Sequence, residues 1–333
     1  MSVASSPLAT GELTYREAIR SVLFEEMRSD PRVVLMGEDV GQAGGPFKTS
    51  VGLADAFPDR VIDTPIAENS FVGAALGMAA TGLRPVVEIM FADFLLVAAD
   101  AIVNELAKLR FMSGNQIIAP VTIRAIGGGT MHFGAQHSAT YESLFVQVPG
   151  LHIATAGSPA SAYGLLRFAM QLDEPVLFIE HKGLYARRGA VDADPRPYAP
   201  GRSRLLRKGR DVTVVASLLM VERSLEAAMT LAGEGIDVEV IDVQWVQPLD
   251  VHAVAESVGR TGRLIVVSEQ VHEGSWAATL ISRLAQDGAP WRVSPIVLGL
   301  PRLAMPFSPP LEAAMIPSAV RIQDAIRLLT RRS

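Results

Sequence analysis

The stretch RVIDTPIAENSFVGAALGMAATGLRPVVEIMFADF, residues 60–94, decides the fold. A short apolar run ends at Asp63, a helical pattern occupies 69–81, and the β-branched run PVVEIM follows at 85–90. Strand, helix and strand in so few residues make a crossover between parallel strands. Working outward, VVLMG (33–37) precedes this unit, and PVTIRAI (120–126), HIATA (152–156) and PVLFIEH (175–181) follow it, with helices expected over 94–111 and 159–171. A first helix starts at Thr14, where Thr14-Tyr15-Arg16-Glu17 has capping-box spacing, and runs to Arg28. The alternation predicts an α/β fold whose parallel sheet is flanked by helices.

Between Gly183 and Arg210 the pattern breaks into Arg, Pro, Gly and Asp, as an interdomain linker does. The expected division is a first domain over 1–195, a linker over 196–204 and a smaller α/β domain over 205–333. The second alternation runs through DVTVVAS (211–217), a helix at 221–233, DVEVIDV (237–243), a helix at 250–258 and RLIVVSE (263–269). It closes with helices at 275–286 and about 318–331, separated by the strand WRVSPIVLG (291–299).

Composition narrows the chemistry. The 333 residues are 49% hydrophobic with a formal net charge of -5, enough for two cores. Because the acidic balance is spread along the chain, there is no electrostatic footprint for nucleic acid. No run of about 18 apolar residues is free of charge, so no membrane span is expected. Zero cysteines exclude disulfides, thiol nucleophiles and Cys-ligated metals. The opening MSVASSPLATGEL has neither signal-peptide nor transit-peptide character, and a cytoplasmic location is expected.

Familiar motifs fail in turn. GxxxxGK[ST], HExxH and GxSxG are absent, and in the run Gly127-Gly128-Gly129 the third glycine of a dinucleotide fingerprint would fall at His132. Three local patterns stand out, each with a plain structural alternative. Glu68 opens a helix after a strand, at the edge where α/β sheets bind ligands, yet the helix dipole alone favours a glutamate there. His137 lies in the Gly-rich loop Gly134-Ala135-Gln136-His137-Ser138, as a reactive group or an ordinary loop histidine. No third histidine or carboxylate is spaced to join His132 and His137 around a metal. Met90-Phe91-Ala92-Asp93-Phe94 offers a stacking platform for a planar ring, or plain core.

Taken in order, TYREAI (14–19), LMGEDVG (35–41), RVIDTPIAEN (60–69), GLRPVVEIMFADF (82–94), GAQHSATYESLF (134–145), DEPVLFIEHKGLY (173–185) and DVTVVA (211–216) resemble one family. It is the beta chain of the thiamine-diphosphate-dependent decarboxylating component of 2-oxo acid dehydrogenase complexes, which includes pyruvate, branched-chain 2-oxo acid and acetoin dehydrogenases. The resemblance covers nearly all of 12–331 and is most specific over 37–182. It implies a transketolase-like pyrimidine-binding domain followed by a transketolase C-terminal domain.

By the same resemblance, Glu68 hydrogen-bonds the aminopyrimidine ring of thiamine diphosphate and promotes its imino tautomer, Met90 and Phe94 contact that ring, and His137 moves protons during transfer to a lipoyl group. No GDG motif for the Mg2+-diphosphate occurs here, which implies half a site, with magnesium held mainly by an alpha subunit in an α2β2 heterotetramer. A lipoyl acyltransferase is the further expected partner, and pyruvate and branched 2-oxo acids both stay open as substrates. Potassium is implied on main-chain carbonyls near Val121, Ala169, Met170, Leu172 and Glu174, with Leu172 standing where relatives carry an acid. The stretch Gly299-Leu300-Pro301-Arg302-Leu303-Ala304-Met305-Pro306 departs from the family's acid and P-x-P pattern. That departure motivates the alternative of a carboligase or acetoin-cleaving enzyme with another acyl acceptor. A non-catalytic scaffold subunit is the alternative from a different class, against which intact Glu68, Phe94 and His137 argue.

Overall fold

The computed structural model describes residues 11–191 and 198–331. Residues 195–197, where the first domain is expected to end and the linker to begin, lie outside the described residues. The first part of the chain carries β1 (Gly11–Thr14), β2 (Val33–Gly37), β3 (Val61–Asp63), β4 (Arg84–Ile89), β5 (Thr122–Gly127), β6 (His152–Thr155), β7 (Val176–His181) and β8 (Arg188–Val191). The second carries β9 (Arg204–Arg207), β10 (Val212–Ala216), β11 (Val238–Asp242), β12 (Trp245–Gln247), β13 (Leu264–Val271) and β14 (Ile296–Leu300).

Two sheets organise these strands. A seven-stranded sheet has the order β12-β6-β7-β5-β4-β2-β3 and a five-stranded sheet the order β14-β13-β10-β11-β9. The first is parallel except at β12, the second except at β9. β1 and β8 form a separate antiparallel ribbon. This is the expected α/β architecture, with one addition: β12, from the second half of the chain, completes the first sheet. None of the described helices is long and apolar enough to cross a membrane.

The first helix, Tyr15–Ser29, begins as its capping box requires: Thr14 Oγ1 accepts from the amide of Glu17 at 3.2 Å, and Glu17 Oε2 accepts from the amide of Thr14 at 2.8 Å. The single helix expected over 94–111 is instead three pieces: a 3-10 turn at Ala92–Leu96, a π-helical stretch at Ala101–Leu106 and an α-helix at Ala107–Met112. The side-chain carbonyl of Asn69 accepts from the amide of Ala101 at 3.2 Å, taking a donor from the regular ladder at the start of the π-helical stretch. The strand expected over 291–299 begins only at Ile296, because Pro295 has no N–H to donate.

Under the carboxyl ends of three neighbouring strands lies a fully buried charge triad. Arg124 on β5 donates to Glu88 on β4 at 2.5 Å and to both oxygens of Glu180 on β7, at 2.6 and 3.0 Å. The pleat puts the three side chains on one face, since Arg124 is opposite Glu88 while Glu180 is opposite Ile126. Thr49 Oγ1 also donates to Glu88 at 3.0 Å, and the Tyr185 hydroxyl to Glu180 at 2.7 Å. Burial opposes the charge on Arg124, but the two carboxylates outweigh it and hold the guanidinium above its ordinary value. Replacing Arg124 by Met would strand two carboxylates in the core. We expect Arg124→Met to lower unfolding stability by about 3–5 kcal/mol in urea titrations; a loss under about 1 kcal/mol would contradict the triad's role.

Candidate functional site

Because β3, β2, β4, β5 and β7 are parallel neighbours, the loops leaving their carboxyl ends gather along one edge. In spatial order that edge carries Thr64 and Glu68 after β3, Glu38 after β2, Met90 to Phe94 after β4, the loop to His137 after β5, and Lys182 after β7. Glu68 opens the helix Glu68–Ala80 and is only 5% exposed, and its carboxylate makes no hydrogen bond or ion pair to a described residue. Glu38, 6% exposed, stands close enough for the two charges to interact. Burial first, then the charges of Glu68 and Asp39, push the carboxyl of Glu38 up. Glu38 Oε1 and Thr64 Oγ1 are buried without a partner. Buried polar atoms are normally hydrogen-bonded, so this corner is shaped for a polar guest.

Beside it is an aromatic wall. The His137 ring lies edge-on to Phe91 at 4.6 Å and to Phe94 at 5.5 Å between centroids, and Phe133 meets Phe91 at 5.9 Å. Met90 is half-buried at the start of the same segment. The structure therefore brings Phe94 and His137 into direct ring contact, with Phe91 against both. The loop bearing His137 is tied from both halves of the chain. Ala139 donates its amide to Asp93 at 3.3 Å, and Lys182 Nζ donates to the main-chain carbonyl of His137 at 2.5 Å. From β13, Glu269 accepts from the amide of Gly129 at 2.5 Å and pairs with His181 at 2.9 Å, while Gln270 Nε2 donates to the carbonyl of Thr140 at 2.6 Å. Burial pushes the carboxyl of Glu269 up, but His181, the Gly129 amide and Arg223 outweigh that and hold it below its ordinary value. His132 is engaged by Glu312, from the helix Pro309–Met315, at 2.6 Å.

The glycine run expected to fail as a dinucleotide fingerprint has a packing purpose. Gly128 has φ +85°, and a Cβ there would sit 2.0 Å from Nε2 of His181.

The residues implied for potassium lie at the opposite, amino-terminal edge of the sheet, just before β5 and β7. The carbonyl of Val121 accepts from the amide of Val176 at 2.9 Å, and that of Ala169 from Leu172 at 3.3 Å. The guanidinium of Arg84 donates to the carbonyls of Met170 at 3.1 Å and Leu172 at 2.5 Å and pairs with Asp173 at 2.8 Å. The carboxylate of Glu174 pairs with Arg110 at 2.9 Å and with His152 at 2.5 Å. The guanidinium of Arg84 thus lies against two of the five carbonyls. No group of three or more His, Asp or Glu is gathered to hold a metal ion among the described residues.

Reading the sequence missed Glu38 and Lys182. Both follow a strand at its carboxyl end, so the rule that drew attention to Glu68 reaches them too. Glu269 left no local signal, because it lies 140 positions from the amide it holds.

Residues 11–188 match the transketolase pyrimidine-binding domain and residues 201–322 the transketolase C-terminal domain. The fold class is thus the two-domain transketolase type. A solved structure titled split gene transketolase, inactive beta4 tetramer, superimposes with a TM-score of 0.78 at 24% identity, covering 96% of this chain and 99% of that one. Among curated proteins, the beta subunit of acetoin:2,6-dichlorophenolindophenol oxidoreductase from Cupriavidus necator is 40% identical over 95% of this chain and 97% of its own length. The 2-oxoisovalerate dehydrogenase beta subunit of Bacillus subtilis is 37% identical, over 95% and 98%. The pyruvate dehydrogenase E1 component beta subunit of Rhizobium meliloti is 36% identical, over 97% and 71%. Within the transketolase class, the chain belongs to the family of 2-oxo acid dehydrogenase beta subunits.

The crowding of Glu38 has a measurable signature. Its raised pKa means that folding disfavours the ionised form, so its penalty is absent at low pH and appears as pH rises through the carboxylate range. Glu38→Gln removes that penalty, and its thermal midpoint relative to wild type should rise as pH increases from about 4 upward through the carboxylate range. A difference that is flat with pH, or falls, would show that Glu38 is not crowded in this way.

Proposed function

We propose that this chain is the beta subunit of a decarboxylating 2-oxo acid dehydrogenase that works with an alpha subunit in an α2β2 assembly and reductively acylates a lipoyl group. The observation that carries this reading is the unbonded carboxylate of Glu68, a residue only 5% exposed, beside buried Glu38 at the sheet edge and near an aromatic wall. Thiamine diphosphate, when bound, supplies a carbon nucleophile for the keto group and an electron sink that lets carbon dioxide leave.

The residues fit its aminopyrimidine ring. Glu68 would accept a hydrogen bond from a protonated ring nitrogen, and its own charge raises the affinity of Glu38 for a proton. Burial, reinforced by the charges of Glu68 and Asp39, favours the protonated form of Glu38 beside the ring. Thr64 Oγ1 and Glu38 Oε1 are free to meet the ring's polar edge. Met90, Phe91 and Phe94 form an apolar wall that excludes water, which strengthens each of these contacts. The imidazole of His137 can give or take a proton at the acyl acceptor. The diphosphate and its magnesium are assigned to the alpha subunit. The relative named for acetoin supports a second reading, in which the same carboxylates serve a different acyl donor and acceptor.

Glu68→Gln, purified with its alpha subunit, should assemble normally and lose roughly 10²-fold or more in decarboxylation measured with an artificial oxidant, because an amide cannot hold the proton. Near-normal turnover would remove Glu68 from the mechanism. His137→Ala should lose more in lipoyl acylation than in dye-linked decarboxylation; equal losses would contradict the role given to His137. Reduction of the dye with no acylation of a lipoyl domain, and with acetoin preferred over 2-oxo acids, would favour the second reading.

A further inference from the structure

We infer that Lys182 is a positioning residue: by donating to the main-chain carbonyl of His137 it holds that imidazole at the height above Phe91 and Phe94 from which it serves acyl transfer. The inference rests on the role proposed for His137 and deepens it. Lys182 follows β7 directly and is 3% exposed. Its ammonium stands 5.8 Å from the ring centroids of Phe91, which lies against His137, and of Phe133, which packs on Phe91. Among the described residues no carboxylate closes to ion-pair distance with it, so the carbonyl of His137 is its one direct hydrogen-bonding partner.

A lysine is a costly choice for such a place, since a methionine would fill the same space among aromatics without a charge to desolvate. What a methionine lacks is the donor. The segment around His137 runs outside the sheets, and its hydrogen bonds to the first half of the chain are the Lys182 bond at residue 137 and, at residue 139, the bonds to Asp93 and to the amide of Gly128. Removing the nearer one frees the residue that bears the imidazole while Gly129 and Thr140 stay anchored to the second half.

The bond is also pH-sensitive. Burial pushes the Lys182 ammonium down to about 8, with Glu269 on β13, Asp93 in the turn after β4 and Glu312 in the helix Pro309–Met315 pulling it up. The other titratable groups facing this corner are His181 and His132, paired with Glu269 and Glu312, and the His137 ring itself. Below about pH 8 the donor is charged and the hydrogen bond strong; above it the amine is neutral and the bond weaker.

The test compares wild type, Lys182→Met and Lys182→Arg, each assembled with the alpha subunit. Dye-linked decarboxylation and acylation of a free lipoyl domain are measured from pH 6.5 to 9.5, together with thermal midpoints at pH 7. In wild type the ratio of transfer to decarboxylation should fall on an alkaline limb centred near 8. Lys182→Met should lower transfer by about 10- to 100-fold, the loss expected for a catalytic group displaced by about 1 Å, abolish the limb, and leave dye-linked decarboxylation within about twofold. Its midpoint should be no lower than wild type, since a desolvated charge has been removed. Lys182→Arg should restore transfer and carry the limb beyond the range, because a guanidinium keeps its charge. Unchanged transfer in Lys182→Met, or equal losses in both assays with a lowered midpoint, overturns the inference and leaves the proposed function standing. A wild-type assembly that decarboxylates no 2-oxo acid overturns the proposed function, and this inference with it.

Discussion

One guanidinium between two carboxylates sets the geometry on which the rest depends. Arg124 ties β5 to β4 through Glu88 and to β7 through Glu180, with no solvent to soften a misfit. Buried charges of this kind tolerate little displacement, because any loss of contact leaves an ion without compensation. Glu88 lies two residues before Met90, and Glu180 two residues before Lys182. The triad therefore fixes the relative height of the segments that carry the aromatic wall and the loop clamp. Thr49 and Tyr185 extend the same network into the chain on either side of the edge.

Above that fixed base, the site is assembled by both halves of the chain. β13 offers Glu269 and Gln270 to the loop after β5, and β12 completes the first sheet next to β6. The loop bearing His137 thus has a rigid floor from one half and a grip from the other. Glu68, by contrast, stands on the first turn of a helix and keeps its carboxylate free. The arrangement separates a held ring system, at Phe91, Phe94 and His137, from two acids, of which Glu38 is pushed up by burial and by the neighbouring charges of Glu68 and Asp39.

The parts of this structure that local chemistry determines were legible in the sequence. The capping box at Thr14 and Glu17 forms as its spacing demands, and the β-branched runs at 33–37, 120–126 and 175–181 fall on the strands Val33–Gly37, Thr122–Gly127 and Val176–His181. Parallel order follows from the alternation, which puts Glu68 and His137 at the carboxyl edge of the sheet. What escaped depends on distant partners. The break in the 94–111 helix needs the side chain of Asn69, and a strand as short as Trp245–Gln247 acquires its identity only from pairing with β6. The carboxyls of Glu38 and Glu68 interact because β2 and β3 are neighbours, a fact of sheet order that no run of residues states.

The central claim is that this edge is one half of a cofactor site, supplying the acids and the ring wall but not the diphosphate cradle. Calorimetric titration of thiamine diphosphate with Mg2+ into this chain alone, and into its mixture with the alpha subunit, tests it most directly, with the mass of each species followed by light scattering. The account predicts binding only where an α2β2 assembly has formed. Tight, Mg2+-dependent binding to the isolated chain would contradict it, since a complete site would then lie within these residues.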